Sequence, residues 1–172
     1  MAQPVVGIIM GSDSDLDIMI EAAKIFDEFK VAYEVRIISA HRTPDAMDAY
    51  AGGALNRGLK VIIAGAGGSA HLAGMTASHT SLPVIAVPVK RDHHDHEALW
   101  SNIKMPPGIP LATMPENGAK NAALFVIEIL CLHDANLAVA YDTWRTKQHE
   151  NVLSADKKLK KIGWKQYLKD QK

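Results

Sequence analysis

Short apolar runs rich in β-branched residues alternate along this chain with segments of helical periodicity. The first run, Val5–Met10, is continuously apolar, as is typical of a strand buried on both faces of a parallel sheet. After it, apolar residues recur at helical spacing at Leu16, Met19, Ile20, Ala23 and Phe26. Further strands are predicted at Tyr33–Ile38, Leu59–Ala64, Pro83–Val87 and Ile109–Thr113. The alternation predicts an α/β fold with helices on both faces of a central parallel sheet.

Helix signals separate the predicted strands. Thr43 and Pro44 form a cap followed by a proline at the first helical position, and Gly58 is predicted to close that helix. A short helix is predicted over residues 71–80, and a longer, nearly all-apolar helix over residues 119–132. The first four predicted strands are therefore joined by short helical crossovers.

The chain ends in a basic segment. Residues 154–172 contain seven lysines and two aspartates, and we predict a basic tail there, after one α/β domain over residues 1–153 that includes a terminal helix. The tail is interpreted as solvated, or as a helix packed on another subunit, in preference to a polyanion site. The terminal helix and the apolar helix at 119–132 both need a surface to cover them, which predicts a homo-oligomer.

The overall composition narrows the function classes. Lysine plus arginine and aspartate plus glutamate number 19 each, which argues against binding nucleic acid or an anionic membrane through the whole surface. No apolar stretch approaches the roughly 18 residues that span a bilayer, and no basic residue precedes Lys24, so a secretory signal is not expected. Cys131 lies in an apolar run, which predicts a buried, unreactive thiol. We predict a cytoplasmic protein.

Unusual residues gather where the predicted strands end. Residues 11–15 (Gly-Ser-Asp-Ser-Asp) follow the first strand, residues 39–44 the second, and residues 65–71 the third. Ligands of open parallel sheets bind outside the carboxyl ends of the strands. Aspartates would repel a phosphate, but a carboxylate can accept hydrogen bonds from sugar hydroxyls, so Ser12 and Asp15 are interpreted as contacts to the ribose-phosphate end of a ligand. Asp13 or Ser14 can also be explained as a helix cap.

The second and third loops carry the residues best suited to chemistry. His41 can exchange a proton near neutral pH, and the guanidinium of Arg42 matches a phosphate or carboxylate; the alternative is an incidental surface pair. Gly67 and Gly68 lie in a glycine-rich stretch that is either a flexible turn or a close approach of the backbone to a ligand. His71 is a second candidate contact.

The cluster His93-His94-Asp95-His96-Glu97 contains metal-ligand residue types, but four consecutive residues rarely turn toward one ion. A solvated loop or a substrate lid is the preferred interpretation. We therefore predict no metal site.

Five segments of the chain resemble motifs of the PurE family, the 5-(carboxyamino)imidazole ribonucleotide mutases of purine biosynthesis. They are GSDSD at 11–15, SAHRTP at 39–44, GAGGSAHLAGM at 65–75, MPPGIP at 105–110 and GAKNAAL at 118–124. Residues 133–153 are also similar to the terminal helix of that family, so the resemblance covers residues 4–153. It implies a flavodoxin-like three-layer sandwich, an octamer and no metal or organic cofactor.

The resemblance also implies roles for individual residues. The substrate would be a small ribonucleotide, bound by Ser12, Asp15 and Arg42, with Ser39 beside them. His41 would be the proton-transfer residue of an isomerase. The pocket around the migrating carboxylate would be lined by Gly67, Gly68 and His71.

Two segments depart from the mutase pattern. Residues 90–96 replace a segment like SALSG, and residues 113–121 are shorter than the corresponding stretch of the mutases. The shortening is closer to related carboxylases that use free carbon dioxide, whereas the core motifs are mutase-like. We therefore expect a mutase. An aminoimidazole ribonucleotide carboxylase, a member acting on another small carboxylated substrate and a non-catalytic nucleotide-binding module are the alternatives.

Overall fold

A parallel sheet forms the centre of the first of two compact units. The computed structural model describes residues 2–90 and 96–171; the first unit ends at Val126 and the second begins at Ile127. Five strands pair in the order β2-β1-β3-β4-β5, with every neighbouring pair parallel. They are β1 (Val6–Met10), β2 (Tyr33–Ile37), β3 (Val61–Gly67), β4 (Val84–Val89) and β5 (Ala112–Thr113). This is the strand order of flavodoxin-like folds, so the predicted fold class is confirmed.

Helices connect the strands. They are α1 (Leu16–Phe29), α2 (Pro44–Gly53), α3 (Leu72–His79), α4 (Glu97–Ile103) and α5 (Ala119–Cys131). The 3₁₀ turn Asp13–Asp15 precedes α1. The boundary between the two units falls within α5, between Val126 and Ile127. The sequence analysis predicted α1, α2, α3 and α5 but not α4.

The two faces of the sheet are covered by different helices. Ile9 and Ala64 belong to a buried cluster with Met47 of α2 and Leu72 of α3. Side chains alternate along a strand, so the next residue of β3, Gly65, faces the other way. A Cβ atom built there would overlap Met19 of α1, which places α1 on the opposite face. The predicted layers therefore form on both sides of the sheet.

The glycine-rich stretch is mostly strand, which corrects the predicted loop at residues 65–68. Residues 65–67 pair in register with β4, with Gly65 opposite Val87. Gly65 is needed because its missing side chain leaves room for buried Met19. Only at Gly68, with φ of 59°, does the chain leave the strand. A glycine that admits a neighbouring side chain is indistinguishable in sequence from a glycine that makes a turn.

Other element boundaries also differ from the prediction. Helix α2 ends at Gly53, and hydrogen-bonded turns continue to Gly58, where φ is 88°. Strand β4 extends to Val89. Strand β5 is only two residues long and begins two residues after Pro110.

The second unit consists of the end of α5 and the long helix α6 (Ala135–Asp170). Asp134 caps α6 by accepting hydrogen bonds from the backbone N–H groups of Asn136 and Leu137, both at 3.0 Å. No residue of α6 is buried, and its helical geometry breaks at Gly163. The predicted division between residues 153 and 154 falls inside α6 and stays a prediction. None of the helices in the described part of the chain is long and apolar enough to span a membrane.

Cys131 is partly exposed rather than buried as predicted. Desolvation nevertheless raises the pKa of its thiol, and the carboxylates of Asp134, Asp142 and Glu128 raise it further. A raised pKa lowers the fraction of nucleophilic thiolate at neutral pH. The predicted low reactivity is therefore consistent with its surroundings.

We expect Gly65→Ala to lower the free energy of unfolding by about 1–3 kcal/mol, because the added methyl overlaps buried Met19. Urea unfolding at fixed protein concentration measures the change. Gly53→Ala is the matched control: no atom lies within 4 Å of its added Cβ, and the substitution favours helix. Equal stability of the two variants would contradict the assigned role of Gly65.

Candidate active site

The loops after β1, β2 and β3 meet at the carboxyl edge of the sheet and enclose a cleft of about 290 Å³. Seven of the eight predicted site residues line it: Ser12, Asp15, Ser39, His41, Arg42, Gly67 and His71. The strand order explains the position. β1 lies between β2 and β3, so the connections after β1 and β3 diverge and leave a crevice at their carboxyl ends.

Ser12 and Asp15 hold each other in place at the start of α1. The backbone N–H of Ser12 donates to Asp15 Oδ2 at 3.1 Å, and the hydroxyl of Ser12 accepts from the helix turn in return. This reciprocal capping box satisfies backbone donors that a helix start leaves without partners. Asp15 is 2% exposed. The capping box by itself explains the positions of both residues, whether or not they also touch a ligand.

Ser39 and Thr43 shape the loop after β2. The backbone N–H of Ser39 donates to Thr43 Oγ1 at 3.0 Å, and the Thr43 hydroxyl donates to the Ser39 carbonyl at 3.1 Å. The hydroxyl of Ser39 in turn accepts from the backbone N–H of Arg42 at 3.1 Å. The loop therefore has a fixed shape before any ligand binds.

Arg42 joins the first two loops. Its Nη2 donates to the carbonyl of Gly11 at 2.8 Å, whereas the rest of the exposed guanidinium has donors to spare. Among the described residues that line the cleft, it is the only one with a permanent positive charge. A phosphate or carboxylate entering the cleft would meet its positive charge there.

His41 and His71 contact each other directly. His41 Nε2 lies 2.9 Å from His71 Nδ1, and the two rings meet edge to face with centroids 5.0 Å apart. One of these two nitrogens must carry the hydrogen and the other must accept it. The contact therefore couples the tautomers of the two rings and leaves the second nitrogen of each ring for other partners. The sequence placed both histidines near the site but did not predict this bond.

The third loop contributes backbone rather than side chain. Gly67 ends β3 and lines the cleft, whereas Gly68 does not; its positive φ turns the chain toward Ser69 and His71. Lining residues that the sequence analysis did not select include Ala40, Ala66, Ser69 and Leu72. All four adjoin predicted site residues, so extending each motif to its neighbours would have found them.

The histidine cluster after β4 falls largely on residues 91–95, which lie outside the described residues. Its described end, His96, places Nδ1 2.9 Å from Glu116 Oε2. The backbone N–H of Lys90 donates to Asn117 Oδ1 at 2.9 Å. The two segments that depart from the mutase pattern are thus bonded to each other. Within residues 2–90 and 96–171, no group of three or more metal-ligand side chains comes together.

Comparison with known proteins assigns the family. The sequence model of a family described as AIR carboxylase matches residues 5–151. The chain belongs to the AIR carboxylase family. The matched residues include all three loops of the cleft, so the site lies within the part of the chain that defines the family.

Family relatives carry two different activity names. A phosphoribosylaminoimidazole carboxylase of Schizosaccharomyces pombe is 53% identical over 165 residues, which cover 95% of this chain and 30% of the relative. An N5-carboxyaminoimidazole ribonucleotide mutase of Thermotoga maritima is 49% identical over 166 residues, covering 96% of this chain and 97% of the relative. This chain therefore spans less than a third of the fungal relative and nearly all of the bacterial one.

A solved structure of the family has the same fold. The crystal structure of Treponema denticola PurE superposes with a TM-score of 0.83 at 32% sequence identity, covering 91% of this chain and 99% of that one. The family resemblance and the fold that it implied are both confirmed. The roles of the individual site residues stay predictions.

Substitution of Asp15 separates the hydrogen bond that it accepts in the cap from the effect of its negative charge. Asp15→Ala removes the acceptor of the Ser12 N–H, so we expect a loss of about 1–2 kcal/mol in the free energy of unfolding. Asp15→Asn retains an acceptor oxygen and should unfold within about 0.5 kcal/mol of the parent. Urea denaturation measures both. If the Asn variant is as unstable as the Ala variant, the carboxylate charge rather than the cap stabilises this turn.

Proposed function

We propose that this chain converts 5-carboxyamino-1-(5-phosphoribosyl)imidazole to 5-amino-1-(5-phosphoribosyl)imidazole-4-carboxylate, an isomerase step of purine biosynthesis. The observation that carries the proposal is the contact between His41 and His71 in a cleft that also holds Arg42. The name of the Thermotoga maritima relative, which this chain matches over 97% of its length, supports the same reaction.

Binding of the nucleotide follows from the groups in the cleft. Arg42, in the loop between β2 and α2, pairs with the phosphate. Its guanidinium donates only one hydrogen bond to the carbonyl of Gly11, which leaves other N–H groups for the phosphate. Ser12 and Asp15 offer hydroxyl and carboxylate oxygens to the ribose. The hydroxyl of Ser39 accepts a hydrogen bond from the backbone N–H of Arg42, which fixes the Arg42 backbone. The site therefore recognises a small phosphorylated nucleoside.

The reaction needs a group that donates a proton to the exocyclic nitrogen and later removes one from the ring carbon. Protonation of the exocyclic nitrogen breaks its bond to the carboxylate carbon and releases carbon dioxide and the amine. The ring carbon then attacks carbon dioxide and loses its own proton, so no net proton is consumed. A single imidazole can perform both transfers, and we assign them to His41.

His71 acts on the reaction through His41. Its Nδ1 engages the Nε2 of His41, which fixes the orientation of the catalytic ring and leaves His41 Nδ1 for the substrate. When both nitrogens of His41 are protonated, its Nε2–H donates to His71 Nδ1, and this bond stabilises the imidazolium. The backbone at Gly67, which lines the same cleft, holds the migrating carboxylate without a protonation step. Gly68 does not line the cleft and instead turns the chain toward His71.

Retention of carbon dioxide requires exclusion of water, yet both histidines are exposed in the single chain. We therefore propose that further copies of the chain complete the enclosure, in the octamer that the family resemblance implies. The unburied helix α6 supports this, because it exposes large apolar side chains such as Val139 and Val152, at 67% and 69%, which a partner could cover. A cytoplasmic location, the absence of a cofactor and the basic tail at residues 154–172 stay predictions.

Carboxylation of the aminoimidazole ribonucleotide by free carbon dioxide is the second candidate. The name of the Schizosaccharomyces pombe relative favours it, as does the short segment at 113–121, which the structure bonds to residues 90 and 96. The same His41 would then remove the proton from the ring carbon. The two reactions differ in whether the carboxylate enters from solution.

We expect His41→Asn to lower kcat at least about 100-fold, because the proton-transfer group is lost, while the affinity for the product changes only a few-fold. Initial rates and calorimetric titration measure the two effects. His79→Asn is the matched control, since His79 pairs with Asp48 outside the cleft, and it should retain full activity. Full activity of His41→Asn would remove the proton-transfer assignment; no turnover in the parent protein would favour the non-catalytic module.

Isotope-labelled bicarbonate distinguishes mutase from carboxylase. With the carbamate nucleotide as substrate, we expect the carbon-carboxylated product to form without label, because the released carbon dioxide is recaptured before it equilibrates with the solvent. Mass spectrometry of the early product measures the labelled fraction, and a sample without protein corrects for spontaneous breakdown of the carbamate. Labelled product formed equally fast from the uncarboxylated nucleotide would establish the carboxylase instead.

A further inference from the structure

The last residues of the chain fold into a compact helical hairpin. Lys158 Nζ lies 3.0 Å from Asp170 Oδ2 and 5.5 Å from the ring centroid of Tyr167. In an unbroken helix, residues 158 and 170 would be about 18 Å apart along the axis. The chain must therefore turn back at Gly163, whose φ of 73° and ψ of 157° are not helical. We call residues 154–171 the terminal hairpin.

The terminal hairpin is both basic and apolar on its surface. It contains six lysines and two aspartates, and both aspartates pair with its own lysines. Leu159, Trp164 and Leu168 are nevertheless 39%, 63% and 53% exposed. Such a combination is typical of a surface that docks on an acidic, apolar partner. The family model ends at residue 151, before the hairpin begins.

The matching surface lies on α1. Leu16 and Ile20 are 40% and 36% exposed, and at 3.6 residues per turn they share one side of the helix with three exposed acidic residues, Asp17, Asp27 and Glu28. The lysine on that side, Lys24, is paired with Glu21. Among the described helices of the first unit that expose large apolar side chains, α1 has the largest excess of acids, four against one lysine, whereas α4 contains a single acid, Glu97.

We propose that the terminal hairpin of one copy of the chain docks on the exposed side of α1 of a second copy. The charge distribution supports a second copy as the partner. The chain has 19 basic and 19 acidic residues, and seven lysines but only two aspartates follow residue 153, so the first 153 residues carry the excess of acids. A nucleic acid or an anionic membrane would match the lysines of the hairpin but leave the acids of α1 unexplained.

Carbodiimide cross-linking tests the contact, because it joins a lysine amine to a carboxylate only when the two touch. Peptide mass spectrometry of the cross-linked protein should find bonds between hairpin lysines and the acids of α1, several-fold weaker in 0.5 M salt because salt screens the charges. The internal control is provided by two ion pairs inside the hairpin, whose cross-linking shows that the reagent has reacted. They are Lys158–Asp170 and Lys160–Asp156.

Co-expression of two variants tests whether the contact joins different copies. One copy carries the α1 changes Asp17→Asn, Asp27→Asn and Glu28→Gln. The other carries the hairpin changes Lys157→Gln, Lys161→Gln, Lys165→Gln and Lys169→Gln. A bond between the hairpin of the first copy and α1 of the second can then form only between copies. The control pair replaces the hairpin changes by Lys60→Gln and Lys120→Gln, which are exposed lysines elsewhere.

We expect cross-links between the four substituted lysines and the three substituted acids in the co-expressed sample and in the control pair, and none of these in either of the first two variants alone. Cross-links in the parent protein that vanish on co-expression would show a contact within one chain and overturn the proposal. So would their absence from the parent protein. If the protein shows no such cross-links but is retained on heparin or on phosphatidylserine vesicles, and the hairpin changes abolish this retention, the hairpin binds a polyanion or a membrane instead.

Discussion

The position of β1 between β2 and β3 is the constraint on which the site depends. Met10 at the end of β1 pairs with Ile37 on one side and with Gly65 on the other. The carbonyl of Met10 accepts from Ile38, and the backbone N–H of Gly11 donates to Gly65. These bonds bring the ends of three strands to one level, so segments up to 60 residues apart in sequence meet in one cleft.

The sequence predicted the sheet because its central strands are buried on both faces and therefore uniformly apolar. All residues of β1 and β4 are buried, and no surface requirement breaks the pattern. Seven of the eight predicted site residues also line the cleft, because the edge of a parallel sheet at which ligands bind follows from the direction of the strands alone. The chemistry-bearing loops were therefore accessible to inference from a single sequence.

Features that depend on side chains from distant parts of the chain were not accessible. The strand character of Gly65 depends on Met19, some 46 positions earlier. The short helix α4 has only Ala98 and Asn102 buried, too few for a visible period. The bond between His41 and His71 depends on ring orientation, and the reversal at Gly163 is a single backbone conformation inside an otherwise continuous helical pattern.

The long helix α6 makes the state of the protein depend on how much of it is present. Before Gly163 it runs from Ala135 to Ile162, about 42 Å, without a buried residue. An isolated helix receives little stability from its own backbone, and most helices owe their persistence to packing. If neighbouring copies supply that packing, helix formation and association are a single equilibrium governed by mass action. Dilution then unfolds this part of the chain by dissociating the copies, and the helical content of the protein reports how much of it is associated.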